Sequence, residues 1–247
     1  MKIVSCILNF HRERYLAHSM LISFRESLIQ AVKNTSLDFE IVAVLDNADF
    51  LTTKIVTQFL ESLNIRGISI FQTSFGDVAL PRNFGIEKAR GEIISIFDGD
   101  DLYSLNYISQ VAKTALKNPN SVVHPEILYS FGKNESIMFM PDSKDIPLSD
   151  FFSYNPYQSS VTSSKKIFLE CPFKRNSPGI GFEDWTFNCD ALAAGYSHVP
   201  AKGTIRFYRC GTAGGALDKQ RAENCIPGFS PLWTPSFLDA DNEKEEA

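Results

Sequence analysis

The chain reads first as an alternation of two apolar patterns. Residues 2–8, KIVSCIL, form an unbroken apolar and β-branched run, as expected of a strand buried on both faces. Apolar positions then recur every three or four residues, which predicts a helix from about His18 to Lys33. The pair repeats: FEIVAVLD (39–46) reads as a strand and LTTKIVTQFLESL (51–63) as a helix. GISIFQT (67–73) reads as a third strand, and ALPRNFGIEKARG (79–91) as a helix that stops at Gly91. EIISIFD (92–98) is a fourth strand. Strands alternating with helices at this spacing predict βαβ units and a parallel sheet, whose ligands bind beyond the carboxyl ends of the strands. Asp46 and Asp98 each close a strand and therefore face one crevice.

The second half is less regular. A helix is expected near 104–117, and short apolar pieces at 121–131 and 136–141 suggest strands of mixed direction. Residues 147–160 read as a loop rich in aromatics, and EDWTFNCDALAAGY (183–196) as a helix ending at Gly195. A strand follows, then a glycine-rich stretch (211–215) with the composition of a mobile loop. The tail 239–247 is charged, lacks apolar spacing and reads as a disordered terminus or linker.

Composition narrows the partners. Across 247 residues, a hydrophobic fraction of 44% supplies an ordinary core, and a formal net charge of −5 argues against a nucleic-acid binder. The five cysteines are scattered without CxxC spacing, and Cys6 falls within the first apolar run, so reduced thiols in a cytoplasmic setting are expected. No run approaches the ~18 apolar residues of a membrane span. Peripheral attachment at the inner face of a membrane, or fusion to further domains, stays open.

The chemistry concentrates at IFDGDDLYS (96–104), where three carboxylates crowd within four residues at a strand end. Two unit charges about 4 Å apart repel by about 4 kcal/mol at an effective dielectric of 20, so something positive belongs there. A Mg²⁺ or Mn²⁺ ion suits an Asp-x-Asp pair, since these cations take one or two carboxylates and complete their shell with phosphates and water. The plainer alternative is that Asp100 or Asp101 caps the following helix. No GxxxxGK[ST] and no GxGxxG after the first strand occur, which leaves P-loop and dinucleotide sites unsupported.

The unbroken block GDVALPRNFGIEKARGEIISIFDGDD (76–101) resembles the family 2 glycosyltransferases, whose middle segment reads G-x-x-x-A-R-N-x-G-I-x-x-A-x-G-E before an apolar strand and D-x-D-D. Pro81 stands where Ala is usual. HRERYL (11–16) corresponds to the family's N-x-E-x-x-L, with Leu8 and His11 in place of its Pro and Asn. VLDNAD (44–49) keeps the second aspartate of V-D-D-G-S as Asp46, and GFEDW (181–185) matches the acceptor-side Glu-Asp pair. The resemblance covers about residues 2–200 and is weak over 120–175. It implies an α/β chain with the GT-A fold: a Rossmann-like, mostly parallel sheet flanked by helices, with a smaller mixed-sheet acceptor half. Residues 1–238 would form one such domain, with 1–101 the nucleotide-binding half and 102–238 the acceptor half.

The resemblance also implies roles. Asp46, Glu13, Asp77, Arg82 and Asp98 would contact the donor nucleotide, with Asp46 on the base; Asp100, with Asp98, would hold Mn²⁺ or Mg²⁺. Asn83 would hold its local loop and Asp101 would cap the next helix. Asp184 would be the base that takes the acceptor hydroxyl's proton in an inverting reaction, with Glu183 and Trp185 on the acceptor side. Each has a bland reading as well: a turn-capping aspartate, first-turn helix carboxylates, a core tryptophan. The family's downstream metal-ligating histidine is missing. TIRFYRCGTAGG offers Arg206 and Arg209 instead, which would neutralise diphosphate directly, while His198 reads as a partly buried structural histidine. The implied reaction moves a sugar from a nucleotide-diphosphate donor, UDP by default or dTDP, to a glycan or lipid-linked acceptor, as in O-antigen or capsule synthesis. A silent nucleotide- or carbohydrate-binding domain is the alternative from another class. A sugar-1-phosphate nucleotidyltransferase would need a glycine-rich loop after the first strand, and LNFHRERYL has no glycine.

Overall fold

The structure, a computed structural model, describes residues 2–63, 65–211 and 216–234. The readings of 211–215 as a loop and of 239–247 as a tail therefore fall largely or wholly outside the described residues. The first half runs β1 (Ile3–Phe10), α1 (Tyr15–Asn34), β2 (Asp38–Asp46), α2 (Phe50–Ser62), β3 (Ile68–Thr73), α3 (Ala79–Lys88) and β4 (Ile93–Asp98). Then come β5 (Leu102–Tyr103), α4 (Tyr107–Lys117), β6 (Ser121–Gly132), β7 (Ser136–Phe139), β8 (Thr162–Ser164) and α5 (Lys165–Glu170). The chain closes with β9 (Ile180–Gly181), α6 (Glu183–Ala193), β10 (Ser197–Cys210), α7 (Ala216–Ala222) and β11 (Ile226–Pro227).

Among the described residues, one sheet runs β3-β2-β1-β4-β8-β6-β10-β5, with β7 added on β6. β3, β2, β1 and β4 are parallel, β8 is antiparallel to both neighbours, and β6 and β10 are again parallel. This is the mostly parallel, helix-flanked sheet of the GT-A fold. Side-chain alternation along the strands builds a core on each face. Val4, Cys6 and Leu8 of β1 join Ile41, Ala43 and Leu45 of β2 under α1, α2 and α4. Ile7, Val42, Val44, Ile94 and Ile96 point the other way, against α3, α5 and α6. The helix faces follow the period expected: α1 buries Ala17, Met20, Leu21, Phe24, Leu28 and Ala31.

Two helix limits differ from the sequence pattern for local reasons. α1 begins at Tyr15, because Arg14 takes a φ of 53° and its amide donates to Thr52 Oγ1. α3 ends at Lys88, before Gly91, because the next amides turn to a buried carboxylate: Glu40 accepts from Arg90 N at 2.5 Å and Gly91 N at 3.1 Å. Ser5 Oγ and Arg90 Nε donate to the same carboxylate. Gly91 is required there for another reason, since a Cβ would lie 2.4 Å from Ser5 Oγ. α6 ends as predicted, with Gly195 at a φ of 85° just past it. No helix among the described residues is long and apolar enough to cross a membrane.

Candidate functional site

β4 carries Asp98 to the carboxyl edge of the sheet, beside Asn9 of β1. Gly99 follows because the turn passes too close to β1 for a side chain: a Cβ would lie 2.6 Å from Phe10 Cδ1 and 2.7 Å from Asn9 O. The positive charge that the acidic turn demands comes from within the chain. Arg206 of β10, only 1% exposed, donates from Nε to Asp101 Oδ2 at 2.7 Å and from Nη2 to Asp98 Oδ2 at 2.9 Å. Arg82 of α3 donates to Asp98 Oδ1 at 2.9 Å and to Glu183 Oε1 at 2.5 Å. Ser159 Oγ adds a bond to Asp98 Oδ2 at 2.6 Å. The result is a continuous chain of ion pairs, Glu183–Arg82–Asp98–Arg206–Asp101, that ties the first helix turn of α6 to the acidic turn. Burial pushes the Asp98 carboxyl upward, but Arg82 and Arg206 outweigh it and hold the group well below the usual range.

Three expectations change here. Asp101 is no helix cap: it is fully buried and accepts from Arg206 and from Arg209 N, and the N-cap position of α4 is Asn106, which makes no side-chain cap bond. Arg206 is not offered to donor phosphates, because its guanidinium is enclosed and paired to Asp98 and Asp101. Asp98 has both oxygens engaged by guanidinium and hydroxyl groups, so the metal-ligand expectation narrows to Asp100.

Of the carboxylates at 98–101 and 183–184, two stay outside the ion-pair chain. Asp100 accepts no hydrogen bond from the described residues, and its carboxyl is pushed up to about 8 by burial and by the neighbouring Asp101, Asp98 and Glu13. A carboxylate in that state is one that a cation would ionise, and a single carboxylate completed by phosphates and water is a donor set Mg²⁺ or Mn²⁺ accepts. The described residues hold no group of three or more His, Cys, Asp or Glu side chains that could retain a metal alone. Asp184 is the second. It lies in the first turn of α6, whose N-cap residue Phe182 has a φ of 53°, a left-handed conformation uncommon for such a side chain. Burial and the adjacent Glu183 push its carboxyl up to about 7, against Arg82. It accepts from Trp185 N at 2.9 Å and from Asn155 Nδ2 at 3.3 Å.

The remaining predicted residues divide by what they touch. Asp46 is buried and accepts from Thr73 Oγ1, Phe75 N and Gly76 N, so it holds the turn after β3. Asp77 caps the start of α3 through Ala79 N and Leu80 N and also accepts from Asn176 N. In both cases the bland reading describes the contacts observed. Glu13 accepts from His11 N, and burial raises its carboxyl. His11, in place of the expected Asn, shares a 2.6 Å bond between Nδ1 and Asp46 O. Arg209 reaches the acidic turn by donating from Nε to Asp100 O at 3.2 Å, with its guanidinium 4.7 Å above the Phe131 ring centre. Asn83 holds its loop through both Phe173 N and Phe173 O. Trp185 packs partly buried with its indole N–H on Phe151 O, and His198 is wholly buried.

Sequence reading missed Asn9, Asn155, Ser159 and Ser160. Asn9 buries both amide atoms beside Asp98 without a partner among the described residues. Ser159 and Ser160 both reach Asp98 Oδ2. The last three sit in the aromatic loop, whose polar residues carry no spacing signal of their own.

The family model described as glycosyl transferase family 2 matches residues 8–174. No curated protein matches the chain in sequence. Among solved structures, S. aureus TarS 1-349 in complex with UDP-GlcNAc aligns with a TM-score of 0.63 at 18% identity over 88% of this chain and 61% of that one. A second crystal structure of S. aureus TarS gives 0.62 at 18% identity over 89% of this chain and 38% of that one. The mannosyltransferase PcManGT from Pyrobaculum calidifontis, in complex with GDP-Man and Mn²⁺, gives 0.62 at 16% identity over 96% and 68%. The chain thus spans less than two thirds of the length of these TarS chains, and identities this low carry the fold alone.

Proposed function

This chain belongs to glycosyl transferase family 2, and from that premise we propose that it moves one sugar from a nucleotide-diphosphate donor to a glycan or lipid-linked acceptor, with inversion. The observation that carries the reading is the division among the carboxylates. Asp98, Asp101 and Glu183 are ion-paired with Arg82 and Arg206, while Asp100 and Asp184 make no ion pair among the described residues and are raised to about 8 and about 7; burial raises Asp101 as well, but Arg206 opposes it there. A base with a pKa near the working pH combines a usable ionised fraction with a real affinity for the proton. Asp184 is assigned that work on the acceptor hydroxyl, with Glu183 and Trp185 beside it.

Asp100 would hold Mn²⁺ or Mg²⁺ together with donor phosphates. The ion would supply Lewis-acid stabilisation of the charge that gathers on the departing nucleotide. Arg209, tethered to Asp100 O, would meet the diphosphate. Asp98 would face the ribose, and the turn held by Asp46 would frame the base, with Glu13 and Asp77 supporting it. Residues 1–101 form the donor half of this assignment and 102–238 the acceptor half. UDP is the default nucleotide, and surface-polysaccharide assembly at the cytoplasmic face of a membrane is the setting such a reaction suits.

Calorimetric titration with UDP, dTDP and GDP, with and without Mn²⁺, on wild type and Asp100→Ala tests this. Micromolar binding of one nucleotide that weakens at least tenfold without Mn²⁺ or without Asp100 is the expected result. Folded protein that binds none of the three refutes the donor site.

A further inference from the structure

The loop before β8 touches both unpaired and paired parts of the site, and Asn155 touches it in a way that fixes which end of its amide faces Asp184. Asn155 Oδ1 accepts from Tyr157 N at 3.2 Å and from Asn188 Nδ2 at 3.1 Å. A backbone N–H can only donate, so that end of the amide is the oxygen, and Nδ2 is the group 3.3 Å from Asp184 Oδ2. The loop is anchored against sliding. The buried Tyr157 ring stacks on His124 and His198, with centroids 4.3 and 4.4 Å away and planes within 15°. His198 Nε2 lies 3.2 Å from Asn188 O, which fixes it as the protonated nitrogen, and His198 Nδ1 then accepts from His124 Nε2 at 2.8 Å. Burial keeps both imidazoles neutral, with His198 lowered to about 3. A hydrogen-bonded path therefore runs from the histidine pair through Asn188 and Asn155 to Asp184, and Ser159 pins the other end of the loop on Asp98.

We propose that Asn155 is a positioning residue for Asp184: its amide donates to Oδ2, fixes the carboxylate and favours its ionised form. The proposal rests on the reading of Asp184 as the general base. The charged groups that also face Asp184 are Glu183, which opposes ionisation, and Arg82 and Arg206, which favour it. Among the described residues none of the three hydrogen-bonds to Asn155, so variants there leave those ion pairs in place.

Asn155→Asp is the informative variant because it is isosteric. It still accepts from Tyr157 N and Asn188 Nδ2, so a merely structural role survives, but it presents an acceptor to Asp184 where a donor stood. Asn155→Leu removes the donor without adding charge. The full chain, labelled with ¹³Cγ-aspartate, is titrated by NMR, and the Asp184 resonance is identified by its loss in Asp184→Asn. The expected result is an upward move of the Asp184 midpoint by about one unit or more in Asn155→Asp, equivalent to about a tenfold smaller ionised fraction below the midpoint. Asn155→Leu moves it in the same direction by less. Because the new carboxylate in Asn155→Asp raises the midpoint by like charge alone, Asn155→Leu decides: a midpoint there within about 0.3 unit of wild type overturns the proposal. Turnover, read as nucleoside diphosphate released from UDP-, dTDP- and GDP-hexoses, separates the two readings. If Asp184→Asn keeps wild-type turnover, the base assignment fails. If it loses turnover while Asn155→Leu leaves the midpoint in place, the base assignment stands and the Asn155 proposal alone fails.

Discussion

Replacing Arg206 with Met removes the guanidinium while keeping an unbranched side chain in the space. What it leaves behind can be worked out from the contacts. Asp98 retains Arg82 at 2.9 Å, but Asp101, whose side chain is 1% exposed, loses its counter-ion and keeps only Arg209 N. An ion pair near 3 Å is worth about 5 kcal/mol at an effective dielectric of 20, and the desolvation of both groups offsets much of that in the intact protein. Removing one partner of such a buried pair costs about 3–5 kcal/mol, because the other charge stays behind uncompensated. For a chain of this size that corresponds to roughly 6–20 °C in Tm. Urea unfolding of wild type, Arg206→Met, Asp101→Asn and the double variant gives the number directly. The double variant, in which the uncompensated charge is gone, is expected to recover most of the loss. A single-variant loss below about 1 kcal/mol, or no recovery in the double variant, would refute the claim that Arg206 is the internal counter-ion of the acidic turn.

Other expectations follow from the same contacts. Turnover should fall on the acid side with a midpoint near pH 7, since the base must be ionised and burial with Glu183 raises Asp184 to about 7; a kcat/KM profile flat from pH 5 to 8 would contradict it. A folded-state pKa above the unfolded value means that ionising Asp184 opposes folding, fully above about 7 and progressively less down to the unfolded value. Asp184→Asn should therefore be inactive yet more stable than wild type at pH 8, by roughly 1–2 kcal/mol, with the difference shrinking as pH falls towards 4 in chemical denaturation. Gly99→Ala forces a Cβ within 2.7 Å of Asn9 O and Phe10 Cδ1 and should cost about 1–3 kcal/mol in urea unfolding. Glu40→Ala removes the acceptor of Arg90 N–H and leaves the buried Gly91 N–H on Ser5 Oγ alone, and a loss of about 1–3 kcal/mol is expected by the same measurement.

The parallel half of the sheet was legible because its signals are local. Runs such as KIVSCIL announce two-faced burial, and the intervening helices carry their own period. Where helix limits moved, a distant side chain had intervened: Glu40 captures the amides of Arg90 and Gly91 from fifty residues away. The site shows the same split. Asp98, Asp100 and Asp184 stand out as carboxylates at element ends, but their differing states do not, because those depend on Arg206 and Arg82 arriving from remote strands and helices. Asn155 and Ser159 were illegible for a further reason. A polar residue in an irregular loop has no periodicity to betray it, and only the stack of Tyr157 on the histidines brings this loop to the carboxylates.

The question raised by three aspartates in four residues thus has a two-part answer. Internal guanidinium groups pair with Asp98 and Asp101, and Arg82 extends the pairing to Glu183 on the helix assigned to the acceptor side. A protein that needed only a stable turn would stop there, and would have no use for Asp100, whose charge is opposed by its neighbours and matched by no donor. Nor would it keep Asp184 beside Glu183 at the start of a helix held by a left-handed Phe182. These two costs lie at opposite ends of one ion-pair chain, so a shift of α6 that loosened Glu183 from Arg82 would also disturb the charge around Asp98 and hence around Asp100. Coupling of that kind gives Arg82→Lys a distinctive expectation. Lysine cannot span both carboxylates in the bidentate manner of a guanidinium, so a measurable loss should appear in nucleotide affinity and in turnover alike, whereas a residue serving only one half of the site would move only one of them.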